Sequence, residues 1–228
     1  MTGVLQGRNV LITSAGTYMG PAIAERFARE GARIVADDRS YEEDPSLPAA
    51  IVRQAGEVDI LVVNLQADMS NGLRKSAHKQ DEQSWQRMFT RLVHPTMRFV
   101  SAVLPQMIER RAGKIIVVTS AAPLRAVPGL AAYSAARAAQ NNYVKVVGAE
   151  VAPHNIQVNA VAQHFTIGGF AADAMDDPAT VEWVRSDVPA QRLSTGAEQA
   201  ALCLYLASPE SGFMSGQVFP YAGGWVTT

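Results

Sequence analysis

An α/β fold, with a doubly wound parallel sheet covered by helices on both faces, is predicted by three features of this chain. Short β-branched runs alternate with longer amphipathic stretches throughout, the pattern of repeated βαβ units. The 228 residues are 48% hydrophobic, enough for one compact core. No repeat, low-complexity tract or linker divides them, so a single domain over 1–228 is expected. In order, the first strand is predicted over 8–13 (Arg8-Asn9-Val10-Leu11-Ile12-Thr13). A helix over about 19–30 follows and ends before Gly31, a residue suited to a C-cap. Further strands are predicted near 33–36, 59–63, 114–119, 155–160 and 216–219, and further helices near 47–55, 81–111, 131–152 and 196–207. Between Asp38 and Asp59 only about 20 residues remain, room for one helix but not for another strand-helix pair. The segment from about 161 to 195 carries glycines, prolines and acids without sustained periodicity, and reads as a substrate loop.

Composition excludes several classes. A net charge of -1 leaves no electrostatic footprint for nucleic acid or an anionic membrane, and Arg74, Lys75 and Lys79 read as a solvated loop. The N-terminus lacks a basic-then-apolar signal, and no apolar run approaches the roughly 18 residues of a membrane span. A cytoplasmic protein is expected. The lone Cys203 sits on an apolar helical face and reads as inert packing. His78, His94, His154 and His164 have no paired spacing for a metal, so none is expected.

The first turn, Thr13-Ser14-Ala15-Gly16-Thr17-Tyr18-Met19-Gly20, raises a chemical question. Such strand-to-helix turns hold a pyrophosphate because glycines let the backbone approach and the helix N-terminus offers free N–H groups. Here a tyrosine ring at position 18 would project into the volume that phosphates and nicotinamide need. The acids Asp37-Asp38 stand where a dinucleotide enzyme binds ribose. With the phosphate turn lost, they read instead as solvated strand-end acids.

The most informative stretch is "VTSAAPLRAVPGLAAYSAAR". Ser120 ends an inner strand, Tyr133 starts a long helix 13 residues on, and Arg137 lies one turn beyond it. Residues four apart share a helix face, and the carboxyl end of an inner strand is where open α/β sheets place ligands. The three side chains can therefore converge on one oxygen. A free tyrosine titrates near 10, so about a thousandth is phenolate at neutral pH; a fixed guanidinium beside it raises that fraction without titrating itself. Taken singly, each residue also fits a bland role: Ser120 as a strand-end cap, Tyr133 as a half-buried anchor, Arg137 as a surface cation.

With both motifs in view, the chain resembles the short-chain dehydrogenase/reductase superfamily, a Rossmann-like fold, over nearly its whole length. It resembles more closely a cofactor-free branch, the halohydrin dehalogenases. The reductases' first turn reads Thr-Gly-x3-Gly-x-Gly, of which Thr13 and Gly20 remain while Ser14 and Tyr18 replace the other glycines. The dehalogenases carry Thr-x4-(Phe or Tyr)-x-Gly there, and Ser-x12-Tyr-x3-Arg in place of Ser-x12-Tyr-x3-Lys. The reductases also keep an extra strand before position 59, Asn-Asn-Ala-Gly where "VNLQA" retains Asn64, and a helix asparagine where His94 stands. A structural hydrogen-bonding role is expected for His94. Where reductases show Pro-Gly after the strand at 155–160, Ala162-Gln163-His164-Phe165-Thr166 follows here.

The resemblance implies Ser120, Tyr133 and Arg137 as catalytic residues. It implies a halide site walled by Tyr18 and formed by Gln163, His164, Phe165 and Thr166, and a substrate pocket shaped by Ala122, Val127 and Leu130. Backbone N–H groups aimed at a concavity suit an anion of low charge density that must also leave. The implied reaction turns a vicinal haloalcohol into an epoxide with release of halide and a proton. In reverse, small anions such as azide, cyanide or nitrite open epoxides. No cofactor is implied, and the implied assembly is a homotetramer joined through the helices near 81–111 and 131–152 and the chain end. Trp225, close to the C-terminus, is expected to pack against the core or a neighbouring subunit. Two other readings stay open: an NAD(P)-dependent carbonyl reductase with an atypical nucleotide turn, and a non-catalytic binding module, against which the intact Ser120, Tyr133 and Arg137 count.

Overall fold

The computed structural model describes residues 3–67, 74–167 and 178–227. In chain order the elements are β1 (Asn9–Thr13), α1 (Gly20–Arg29), β2 (Arg33–Asp37), α2 (Leu47–Ala55) and β3 (Ile60–Asn64). Then come α3 (Glu82–Met88), α4 (His94–Arg110), β4 (Gly113–Ser120), α5 (Ala131–Val151), β5 (Ile156–Gln163) and the two-residue β6 (Thr166–Ile167). The chain finishes with α6 (Pro178–Asp187), β7 (Ser194–Thr195), α7 (Gly196–Ala207) and β8 (Val218–Tyr221). Six strands form one parallel sheet in the order β2-β1-β3-β4-β5-β8, a single-domain Rossmann-like α/β fold. Only α2 separates β2 from β3, so β2 is the sheet edge.

Side-chain alternation along the strands assigns the two faces. Leu11, Leu61, Val63, Ile115 and Val117 point into a core with Ile51 and Val52 of α2, Phe99 and Val103 of α4, and Ala136 and Val144 of α5. Their neighbours Val10, Ile12, Ile60, Val62, Ile116 and Val118 point into a second core with Ile23 and Phe27 of α1 and Ala200 and Cys203 of α7. Ile23 and Phe27 lie one turn apart on α1, so a single helical stripe faces the sheet. Thr195 and Glu198 close a capping box on α7, which satisfies two of that helix's free N–H groups. Cys203 is buried as its apolar surroundings require. Among the described residues, no helix is long and apolar enough to cross a membrane.

Three expectations need correction. The helix over 81–111 is not continuous: a π-helical turn, Phe89–Val93, joins α3 to α4. The His94 N–H donates to the Phe89 carbonyl, five residues back, and Pro95 has no N–H with which to restore the α ladder. The segment 161–195 is partly framework, since β6 pairs with β7 and α6 packs Val184 against Ala121, Leu193 and Trp225. Residues 168–177 of that segment lie outside the described residues. Asp37 is not a solvated acid; it is buried, accepting hydrogen bonds from the Tyr41 hydroxyl (2.9 Å) and the Arg39 guanidinium (2.8 Å).

Candidate active site

Thr13, Asn64, Ser120 and Gln163 end four neighbouring strands, and the parallel register sets their carboxyl ends side by side. The first turn leaves β1 there. Ser14 and Tyr18 adopt φ of 46° and 57°, the left-handed conformation that glycine takes without strain. The backbone of a glycine turn is thus retained with side chains built onto it. Gly20 stays glycine because a Cβ there would meet the Ala15 carbonyl oxygen at 2.4 Å. Asn64 clamps the turn, its amide donating to the Ser14 and Thr17 carbonyls at 2.8 and 3.0 Å.

Several N–H groups of this turn are already engaged by the protein. The Gly16 N–H donates to the Asp38 carboxylate at 2.6 Å, and the Ser14 N–H donates to the Tyr41 hydroxyl at 3.1 Å. Asp38 is therefore a cap on the turn rather than a bystander.

Ser120, Tyr133 and Arg137 line one cavity of about 180 Å³ with Tyr18. Gln163, His164, Phe165 and Thr166 form another wall, and Ala122, Val127 and Leu130 a third. Every side chain singled out from the sequence for this site meets there. Ser120 Oγ accepts the Ala122 N–H at 3.1 Å, which leaves its own O–H free to donate into the cavity. Tyr133 enters from the first turn of α5. Arg137 is not a surface cation; it is 1% exposed, with Cζ 5.4 Å from the Tyr133 ring centroid. Its Nη1 donates to the Val118 carbonyl and to Gln140 Oε1, and its Nη2 to the Leu65 carbonyl. Among the described residues no carboxylate pairs with it, so its positive charge faces the cavity uncancelled.

Tyr18, the second phenol of the cavity, is fully protonated at neutral pH. Burial and then the neighbouring Tyr133 push its pKa well above the ordinary tyrosine value, against the opposing pull of Arg137 and Gln163. The cavity is thus a site with one phenol kept neutral and another set beside a guanidinium.

The 163–166 wall differs in detail from what was expected of it. The His164 N–H is spent on the Tyr221 carbonyl at 3.1 Å, so it is not a free anion donor. The His164 ring lies 4.4 Å from the Trp225 centroid and 5.8 Å from that of Trp183, and desolvation lowers its pKa to about 4. It serves as a neutral wall. The Thr166 hydroxyl is occupied by Ser194 (3.0 Å) and Gln199. Gln163 is buried with its Oε1 unpartnered. His94, for which a hydrogen-bonding role was expected, makes no side-chain hydrogen bond among the described residues and is not among those that line the cavity.

Gln66, Ala67, Arg74 and Trp225, which were not anticipated, complete the lining with Trp183 and Asp187 of the expected substrate segment. Arg74 stands exposed on its loop, as expected, and also reaches the cavity rim. Trp225 packs against this chain's own core, with Nε1 donating to Asp187 at 2.5 Å and the Arg125 guanidinium 4.8 Å from its ring centroid. Among the described residues no cluster of His, Cys, Asp and Glu could hold a metal ion.

A family profile described as enoyl-(acyl carrier protein) reductase matches residues 43–226. The chain belongs to the short-chain dehydrogenase/reductase superfamily. The 3-oxoacyl-[acyl-carrier-protein] reductase FabG of Thermotoga maritima is 30% identical over 97% of this chain and 99% of its own length. Among solved structures, a dehalogenation enzyme superposes with a TM-score of 0.89 at 28% identity, covering 98% of this chain and 100% of the other. Halohydrin dehalogenase HheC, bound to ethyl (2S)-oxiran-2-ylacetate, gives 0.86 at 27% identity, covering 96% and 97%. A 3-oxoacyl-[acyl-carrier protein] reductase from Brucella melitensis gives 0.89 at 27% identity, covering 100% and 94%. The chain is thus similar to enzymes of two chemistries on one fold.

Proposed function

We propose that this superfamily member is a halohydrin dehalogenase, acting on vicinal haloalcohols without a nucleotide. The observation that carries the reading is the first turn. The superfamily's reductases need its N–H groups and the space beside them for a nicotinamide dinucleotide. Here Asp38 and Tyr41 occupy two of those N–H groups, and the Asp38 carboxylate would repel a pyrophosphate. The Tyr18 ring lines the cavity where the nicotinamide would lie. These residues do not fit the dinucleotide.

In the proposed reaction the Tyr133 phenolate takes the hydroxyl proton of the haloalcohol while the Ser120 O–H holds that oxygen. The new alkoxide attacks the adjacent carbon from behind; the C–O bond of the epoxide forms as the carbon–halogen bond breaks. Halide leaves with the bonding pair into the space between Tyr18 and the 163–166 wall, and the proton on Tyr133 passes to solvent. Nucleophile and leaving group belong to one molecule, so the protein supplies orientation and charge stabilisation only. Run backwards with azide, cyanide or nitrite, the same geometry opens epoxides. Tyr18, Gln163 and Phe165 are left to meet the anion, since the His164 N–H and the Thr166 hydroxyl are engaged elsewhere. Ala122, Val127 and Leu130 bound the space for the substrate's substituent.

A homotetramer formed through α4, α5 and the chain end belongs to this reading; the exposed Met97 on α4 and Val146 on α5 support it. One domain and a cytoplasmic setting complete it. The alternative, an NAD(P)-dependent carbonyl reductase, is favoured by the names of the sequence relatives. Bromide release from a small bromoalcohol in nucleotide-free buffer, beside Tyr133→Phe, separates the two. Release by the wild type alone supports the dehalogenase; release by neither protein from a series of bromoalcohols sinks it.

A further inference from the structure

The Arg137 guanidinium is fixed by an arrangement that reaches well behind the cavity. Gln140, wholly buried one turn further along α5, accepts from Arg137 Nη1 at 3.0 Å through Oε1. Its Nε2 donates to the Leu92 carbonyl at 3.0 Å and to Thr96 Oγ1 at 2.7 Å. Thr96 Oγ1 in turn donates to the same Leu92 carbonyl at 2.6 Å. The order of donors and acceptors is forced: a flipped amide would set NH2 against a guanidinium N–H and oxygen against a carbonyl. Leu92 belongs to the π-helical turn, so the irregular backbone between α3 and α4 supplies the acceptor that orients the amide.

We propose that Gln140 is the positioning residue for Arg137, a neutral acceptor that fixes the guanidinium without cancelling its charge at the Tyr133 oxygen. A carboxylate would hold the guanidinium as firmly, but would neutralise the field that favours phenolate. A hydrophobic side chain would preserve the charge and lose the anchor. Glutamine meets both requirements. The inference rests on the reading of Tyr133 as the base. Other titratable or charged groups around the cavity are Tyr18, Arg74, His164 and Asp187, and the π-turn and the start of α4 carry Arg91, His94 and Arg98. His164 stays neutral above about pH 4, and each of the others is common to wild type and variants, so a difference between them reports on Gln140.

The test is Gln140→Glu, nearly isosteric, with Gln140→Met as the uncharged control. For Gln140→Glu the acid limb of the pH profile of bromide release moves about one unit alkaline, a roughly tenfold loss at neutral pH that is regained at higher pH. Gln140→Met lowers kcat several-fold with KM near the wild-type value. A uniform loss at every pH for Gln140→Glu, or wild-type kcat for Gln140→Met, would overturn the assignment. Ultraviolet titration of the folded proteins, with Tyr133→Phe subtracted, reads the Tyr133 phenolate without any turnover. If the wild type releases no bromide yet Gln140→Glu still delays phenolate formation, the positioning role stands and the dehalogenase reading fails. If bromide is released but neither measurement responds to Gln140, the positioning role alone fails.

Discussion

Replacing Arg137 by methionine removes a buried cation from the cavity wall while filling similar space. Its Cζ lies 5.4 Å from the Tyr133 ring centroid. At an effective dielectric constant of about 20, a unit charge at that distance stabilises negative charge developing on the ring by about 3 kcal/mol. This corresponds to a rate on the order of a hundredfold lower at neutral pH. The sign follows from charge: losing a cation disfavours the anion, so activity falls at neutral pH and returns as pH rises. Folding must be followed in parallel, because the Val118 and Leu65 carbonyls lose their donors, at about 1–3 kcal/mol for each left unsatisfied. Removing an unpaired buried charge works in the opposite direction. Bromide release from pH 6 to 10, normalised to folded protein by circular dichroism, is the assay. A folded Arg137→Met protein with the wild-type limb and neutral-pH rate would refute the electrostatic role of Arg137.

Other outcomes follow from the same geometry. Tyr133→Phe abolishes halide release with an unchanged circular dichroism spectrum, and retained turnover would exclude this phenol as the base. Tyr18→Gly relieves a left-handed residue but removes a cavity wall, so bromide inhibition weakens several-fold while thermal stability is kept; bromide quenching of Trp183 and Trp225 fluorescence reads it directly. Because burial holds the His164 pKa near 4 in the fold, the unfolded chain protonates first as pH falls from about 6.5 to about 4. Over that window the wild type loses about 3 kcal/mol that His164→Phe does not lose, as measured by urea unfolding at several pH values.

Much of this site was readable because its parts obey local rules. The Tyr133–Arg137 spacing is one helical turn, Ser120 ends a strand whose apolar run is unmistakable, and Tyr18 breaks a turn whose glycines have a defined purpose. Even the six-stranded sheet was foreseeable from the short interval between Asp38 and Asp59. What stayed hidden depends on contacts between distant segments. Gln140 looks like any polar helix residue until α5 is packed against the turn at Leu92. Asp38 resembles a ribose ligand, and only the fold turns it onto the Gly16 N–H. The π-turn is invisible to a 3.6-residue period because apolar spacing runs on through it, although Pro95 signals the missing donor. Trp183 and Asp187 reach the cavity from α6, within the segment read as a substrate loop but with nothing to single out either residue, and Trp225 reaches it from the chain end. His164 reads as a candidate donor from sequence, and its engagement with Tyr221 and two tryptophans appears only in three dimensions.

The most direct measurement is the balance of products from a bromoalcohol in nucleotide-free buffer, with nicotinamide nucleotide binding measured on the same preparation. Bromide, protons and epoxide are expected in equal amounts, with no nucleotide bound. Bound nicotinamide nucleotide with ketone reduction, and no bromide from any haloalcohol, would contradict it and make the chain a reductase despite Tyr18.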